Sequence, residues 1–158
     1  MTAKLRVLAF AAASGRVAHV LVVKDRIKSL GMSRKASMGP MEARAYAAQQ
    51  IEQMRPDIVI TEKLLTTSKK GARTRQIIDA LRAVAELADL ESIAVARGQV
   101  HVNRFAEARD LARRYPTLRP YLPKVRRIWE PEPKTLIYFE ALSLIETTFG
   151  HPLSSHTR

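Results

Sequence analysis

The sequence contains no cysteine, which excludes disulfide cross-links and thiolate metal sites. Its four histidines, His19, His101, His151 and His156, have no ligand-like spacing, so no zinc site is expected. No uninterrupted apolar run approaches the roughly 20 residues of a membrane-spanning helix, and no membrane partner is expected. The apolar stretch from Val7 to Ala13 is too short, and too soon followed by polar sequence, for a signal peptide; it reads as a buried strand. A cytoplasmic location is expected. Acidic residues are scarce: 15 Asp and Glu stand against 27 Lys and Arg, a net charge of +12. Hydrophobic residues at 46% of a 158-residue chain argue against disorder and for one globular domain with a sizeable core. That domain is placed at 1–150, with a loose tail at 151–158.

A cationic surplus of this size in a small chain favours a polyanionic partner, nucleic acid before an acidic membrane surface. Residues 1–40 carry 8 bases and 1 acid, residues 61–76 carry 5 and 1, and residues 101–130 carry 8 and 3. Three basic blocks separated by near-neutral elements could converge on one face. The plain alternative is that they only solvate the surface.

The chain opens with three β-rich runs, residues 5–13, 16–23 and 27–32, separated by Ser14-Gly15 and Lys24-Asp25-Arg26. Gly39-Pro40 starts a helix, since proline is tolerated at a first helical position. Ala43, Ala47, Ile51 and Met54 form its apolar stripe, and Pro56 ends it near Arg55. A short apolar strand follows at residues 58–60, then a loop at 66–73. Thr74 is read as the cap of a helix with the stripe Ile77, Ile78, Leu81, Val84, Ala85 and Ala88. Residues 92–96 form a last strand. A short basic helix at 104–114 leads into a proline-broken irregular segment, and a final helix spans about 134–148, ending at Gly150. The order β-β-β-α-β-α-β-α implies an α/β fold, a mixed sheet with helices on both faces.

Two carboxylates stand out. Glu62 directly follows the buried run Ile58-Val59-Ile60, at a strand end where open α/β sheets bind ligands. Glu140 stacks with Leu136 and Leu144 on the face of the last helix that should meet the sheet. A buried carboxylate is costly unless paired or bound to a metal. A salt bridge to an arginine, or a wet stripe margin, would explain Glu140 without function. A divalent ion such as Mg²⁺, which takes oxygen ligands, would explain both acids.

Three stretches resemble the RuvC-type Holliday junction resolvases, nucleases of the ribonuclease H-like fold. VLAFAAASGRVAHV (7–20) resembles the family's first two strands and their turn, MRPDIVITEK (54–63) its helix end and acidic strand, and FEALSL (139–144) its acidic last helix. The resemblance covers about residues 5–149 and implies a five-stranded mixed sheet flanked by helices. It further implies two Mg²⁺ or Mn²⁺ ions held by carboxylates that include Glu62 and Glu140, and hydrolysis of phosphodiesters in four-way DNA junctions. It implies a C2 homodimer, matching the twofold symmetry of a junction, with the helices at 41–54 and 74–89 as interface candidates.

The chain departs from this pattern at two places. The aspartate expected on strand one is replaced by Ala11, and the acid expected one turn before Glu140 by Ile137; Glu132 or Glu146 might have stood in for the latter. Ala11 reads as an inactivating change in an active parent with Asp at this position, or as a mark of a degenerate relative that binds without cutting; the retained Glu62 and Glu140 favour the first. Lys63, Lys69, Lys70, Arg73 and Arg75 are expected to rim the site and contact phosphates. Arg113 and Arg114 belong to a second basic strip interleaved with Tyr115, Tyr121 and Trp129. Leu64 and Leu65 match the position of a wedge near the branch point. The rival readings are a nuclease acting on RNA or RNA–DNA hybrid, and a non-catalytic branched-DNA-binding protein.

Overall fold

The computed structural model describes residues 5–66, 68, 70–96, 104–122 and 134–149. Strands β1 (Arg6–Ala13), β2 (Arg16–Val23) and β3 (Arg26–Ser33) form an antiparallel meander. Strand β4 (Ile58–Glu62) then pairs parallel with β1, and β5 (Glu91–Val95) parallel with β4, giving the order β3-β2-β1-β4-β5. Helices α1 (Pro40–Met54) and α2 (Ala72–Leu87) cover one face; α3 (Arg104–Arg114) and α4 (Leu136–Thr148) cover the other. The expected α/β architecture with a five-stranded mixed sheet is what the chain adopts.

The apolar reading of β1 has a direct structural basis. As the central strand it is buried on both faces, so alternation is lost and a continuous apolar run results. Val7, Ala9 and Ala11 pack towards α3 and α4; Leu8, Phe10 and Ala12 pack towards α1 and α2. Gly15 closes the first hairpin at φ 79, a conformation glycine adopts without a Cβ penalty. The second hairpin uses Lys24 and Asp25, both left-handed at φ 53 and 61, a geometry that matches the strand twist.

Several boundaries differ from expectation. Helix α2 begins at Ala72 with Gly71 as its cap residue; Thr74 lies inside the first turn, buried, and caps nothing. The Arg75 amide already donates to the Gly71 carbonyl, which fixes the earlier start. Residues Pro116–Tyr121 form a 3-10 helix rather than an irregular segment, because Leu118 inserts fully into the core. On α1 the deeply buried positions are Ala43, Ala47 and Gln50, with Ile51 and Met54 only partly covered. Helix α4 is buried on all sides from Leu136 to Ile145 rather than along a stripe, since it packs on β1, β2, β4 and β5 and also against α3. Its expected end at Gly150 and the tail at 151–158 lie outside the described residues.

His19 on β2 is 5% exposed, and its Nδ1 lies 2.6 Å from the Tyr46 hydroxyl of α1. Gly31 on β3 makes room for the ring: a Cβ there would sit 2.7 Å from His19 Cε1. Burial pushes the imidazole down from 6.5 to about 4. The folded state therefore favours the neutral ring, so this contribution is complete above pH 6.5 and is lost as pH falls from 6.5 towards 4. The shift corresponds to about 3 kcal/mol. Glu146, raised to about 7, acts in the opposite direction over this range, so the expectation is a difference: between pH 6.5 and 4, His19→Gln loses less stability in urea unfolding than the parent chain. An unchanged pH slope in the variant would refute the assignment.

Candidate functional site

Strand β4 carries Glu62 at its C-terminal end, on the same face as Ile58 and Ile60, which pack towards α4. Glu140 lies in the middle of α4 and is 4% exposed. The two carboxylates meet on one cation. Lys70 Nζ donates to Glu62 Oε1 at 2.7 Å, to Glu140 Oε1 at 2.7 Å, and to the Ala12 carbonyl at 2.9 Å. An ammonium has three donors, and all three are used here. The side chains of Lys70, Glu62 and Glu140 are only 14%, 10% and 4% exposed.

Lys70 reaches this position from the segment between β4 and α2. Arg75, in the first turn of α2, folds back and fixes that segment: its Nε donates to the Lys70 carbonyl at 3.1 Å and a terminal nitrogen to the Ser68 carbonyl at 2.9 Å. The Ser68 hydroxyl accepts the Lys70 amide at 3.3 Å. Ala11 is buried and lies two residues beyond the last β1–β4 pair, Ala9–Ile60, as does Glu62 on β4. Position 11 therefore borders the cluster, and the next carbonyl in the chain is the one Lys70 bonds.

Of the residues expected at a phosphate-facing rim, Lys63 and Arg73 are exposed. Lys70 is not at the rim; the two carboxylates draw it inside. Arg75 is likewise turned inwards, its guanidinium engaged by loop carbonyls. Lys69 lies outside the described residues. Arg113 is exposed and pairs with Asp110. Arg114 does not present itself to solvent as expected: it bonds Asp110 at 3.0 Å and Glu146 at 2.9 Å, tying α3 to α4. Tyr115 is buried and Tyr121 packs edge-on against Tyr138 at 5.0 Å, so these rings are core rather than stacking platforms. Trp129 lies outside the described residues. Leu65 is 54% exposed, while Leu64 packs under α1 and α2.

Among the described residues the basic blocks do not all meet at the carboxylates. Arg6, Lys24, Arg26 and Lys28 line an open concavity of about 600 Å³ at the other end of β1 from the carboxylates. One polar contact beside the site was not anticipated: Ser143, one turn after Glu140, donates to Glu107 of α3 at 3.1 Å. A helical wheel of α3 would have placed Glu107 among Ala108, Leu111 and Ala112. Glu146 supplies no ligand; it faces Arg114, and burial pushes it up to about 7 against that charge. Glu132 lies outside the described residues.

The donor set bears on the metal ions that the resemblance implies. Glu62, Glu140 and the Ala12 carbonyl are hard oxygen donors, but they already surround an ammonium. Position 11 supplies no oxygen from its side chain, and among the described residues no three acids or histidines cluster to hold a metal. A two-ion centre does not fit these residues.

The whole arrangement of sheet and helices superposes on known structures. The chain has the fold of the Holliday junction resolvases. RuvC of Thermus thermophilus matches with a TM-score of 0.61 and 14% identity, over 93% of this chain and 98% of its own. The fowlpox virus Holliday junction resolvase matches with a TM-score of 0.58 and 14% identity, over 92% and 99%. The structure of T. thermophilus RuvC in complex with a Holliday junction substrate matches with a TM-score of 0.60 and 11% identity, over 94% and 97%. At these identities the likeness is one of fold. No family model and no curated protein matches the sequence.

The brace on the Lys70 segment has a measurable consequence. Arg75→Ala removes two charge-assisted bonds, and it is expected to cost about 1–2 kcal/mol in urea unfolding and to speed amide exchange between β4 and α2. Exchange unchanged in that segment would show that Arg75 does not hold it.

Proposed function

We propose that this chain binds branched DNA, four-way junctions before linear duplex, and does so as a homodimer without cutting the strands it holds. The observation that carries this reading is the Glu62–Lys70–Glu140 cluster beside Ala11, in a chain whose fold matches a resolvase that has been seen on its junction. The cluster stands at the C-terminal ends of β1 and β4, but its carboxylates are spent on an ammonium and its first-strand acid is absent.

The chemistry of binding follows from charge. Two bare carboxylates would repel a phosphodiester; with Lys70 between them the cluster carries one net negative charge instead of two. Lys63 and Arg73, exposed to either side, supply phosphate contacts, and the net charge of +12 draws a polyanion in. Such contacts give affinity without reading sequence. Selectivity for a junction then rests on shape and on two subunits engaging two arms at once.

A metal-dependent endonuclease is the second reading. It is favoured by the convergence of two carboxylates from β4 and α4 on one point. In that case an aspartate at position 11 would complete the acidic cluster, and the present chain would be the inactive form.

One experiment separates the readings. A labelled four-way junction, a linear duplex and an RNA–DNA hybrid are offered to the chain and to Ala11→Asp with Mg²⁺, and both binding and cleavage are followed. The proposal expects the chain to bind the junction at least about tenfold tighter than duplex, roughly 1.4 kcal/mol, with no cuts. Lys63→Ala and Arg73→Ala should each flatten the salt dependence of log K by about 0.9. Equal binding to duplex would refute junction selectivity, and tighter binding to the hybrid would refute a DNA target. Paired cuts at the branch point by Ala11→Asp would establish the nuclease reading.

A further inference from the structure

We infer that Lys70 is the resident cation of the Glu62–Glu140 site: its ammonium holds the position a divalent ion would need, and the site is complete without metal. The inference rests on reading this cluster as the functional site, but not on DNA being the ligand.

Three observations support it. The first is saturation. The three N–H groups of Lys70 are taken by Glu62, Glu140 and the Ala12 carbonyl, at 2.7, 2.7 and 2.9 Å. In this position no donor remains for a phosphate oxygen. The second is charge balance. Of these three groups, two carboxylates and one ammonium leave a single negative charge. A third acid at position 11 would double that excess, whereas alanine there keeps the balance. Alanine at position 11 and lysine at position 70 are thus complementary at one site. The third is anchorage. The segment that delivers Lys70 is held by Arg75 through two backbone carbonyls and by the Ser68 hydroxyl. Mg²⁺ demands oxygen ligands at close to 2.1 Å in near-octahedral geometry. To take the position between Glu62 and Glu140 it would have to displace the Lys70 ammonium from its three bonds.

The test is a titration of the full chain with Mn²⁺, without DNA, followed by calorimetry and by the electron paramagnetic resonance of free Mn²⁺. Thermal unfolding in EDTA and in millimolar Mg²⁺ runs beside it. The chain itself is expected to take up no Mn²⁺ and to melt at the same temperature in both solutions. Lys70→Met removes the ammonium that Glu62 and Glu140 share. It should melt lower in EDTA, recover in Mg²⁺, and bind Mn²⁺ at least about tenfold tighter than the parent chain. Lys70→Arg keeps the charge and should ignore both ions. If Lys70→Met does not fold in EDTA, recovery of the folded protein on refolding in Mn²⁺ is the supporting result, and Lys70→Gln repeats the titration. Stoichiometric Mn²⁺ uptake by the parent chain, lost in Glu140→Gln, would overturn the inference. So would indifference of Lys70→Met and Lys70→Gln to both ions, since the vacated position would then not be a cation site. Because no DNA is present, these outcomes are read independently of whether the chain prefers junctions.

Discussion

Two ionised carboxylates between a sheet and a helix repel each other, and a cation lying between them offsets that cost. That constraint organises this molecule. Glu62 is fixed by β4, the strand that pairs on both sides, and Glu140 by α4, which is buried from Leu136 to Ile145. Neither side chain can retreat to solvent, so the counter-charge has to come to them. It comes from the connection between β4 and α2, as the ammonium of Lys70. The course of that connection, the early start of α2 at Ala72 and the inward turn of Arg75 all follow from bringing Lys70 to the carboxylates and keeping it there.

The small residues of β1 serve the same end. Ala9 and Ala11 keep the α4 side of the central strand free of bulky side chains near its C-terminal end, while Phe10 fills the side towards α1 and α2. Residue 11 is thus both a core position and the border of the polar cluster. The fold it belongs to is shared with resolvases at 14% identity or less. Sequence can drift that far because what the fold requires of most positions is apolarity and size, not identity.

Most of the fold was legible in the sequence. Apolar runs bounded by turns located all five strands, and the proline after Arg55 marked the end of α1. What was missed had local causes. Thr74 looked like a cap because threonine commonly is one, but Gly71 offered an earlier start. Residues 116–121 looked irregular because prolines break α-helices, yet a 3-10 turn accommodates Pro116 and Pro120 while Leu118 fills the core. The carboxylates were visible as acids in apolar surroundings. The inward placement of Lys70 was not, because a lysine in a basic loop carries no mark of where it points. The same holds for Arg114, whose partners Asp110 and Glu146 lie on two different helices.

The outer strands bear on how copies of this chain can meet. At one margin of the sheet, β3 carries Arg26 and Lys28, and its register slips opposite Leu21 and Val22, so that Lys28 has no partner across the ladder. At the other, β5 is only five residues long. Charge, irregularity and brevity are the features that keep a sheet from extending itself edge to edge. The two margins of the sheet are thereby guarded against open-ended pairing of strands.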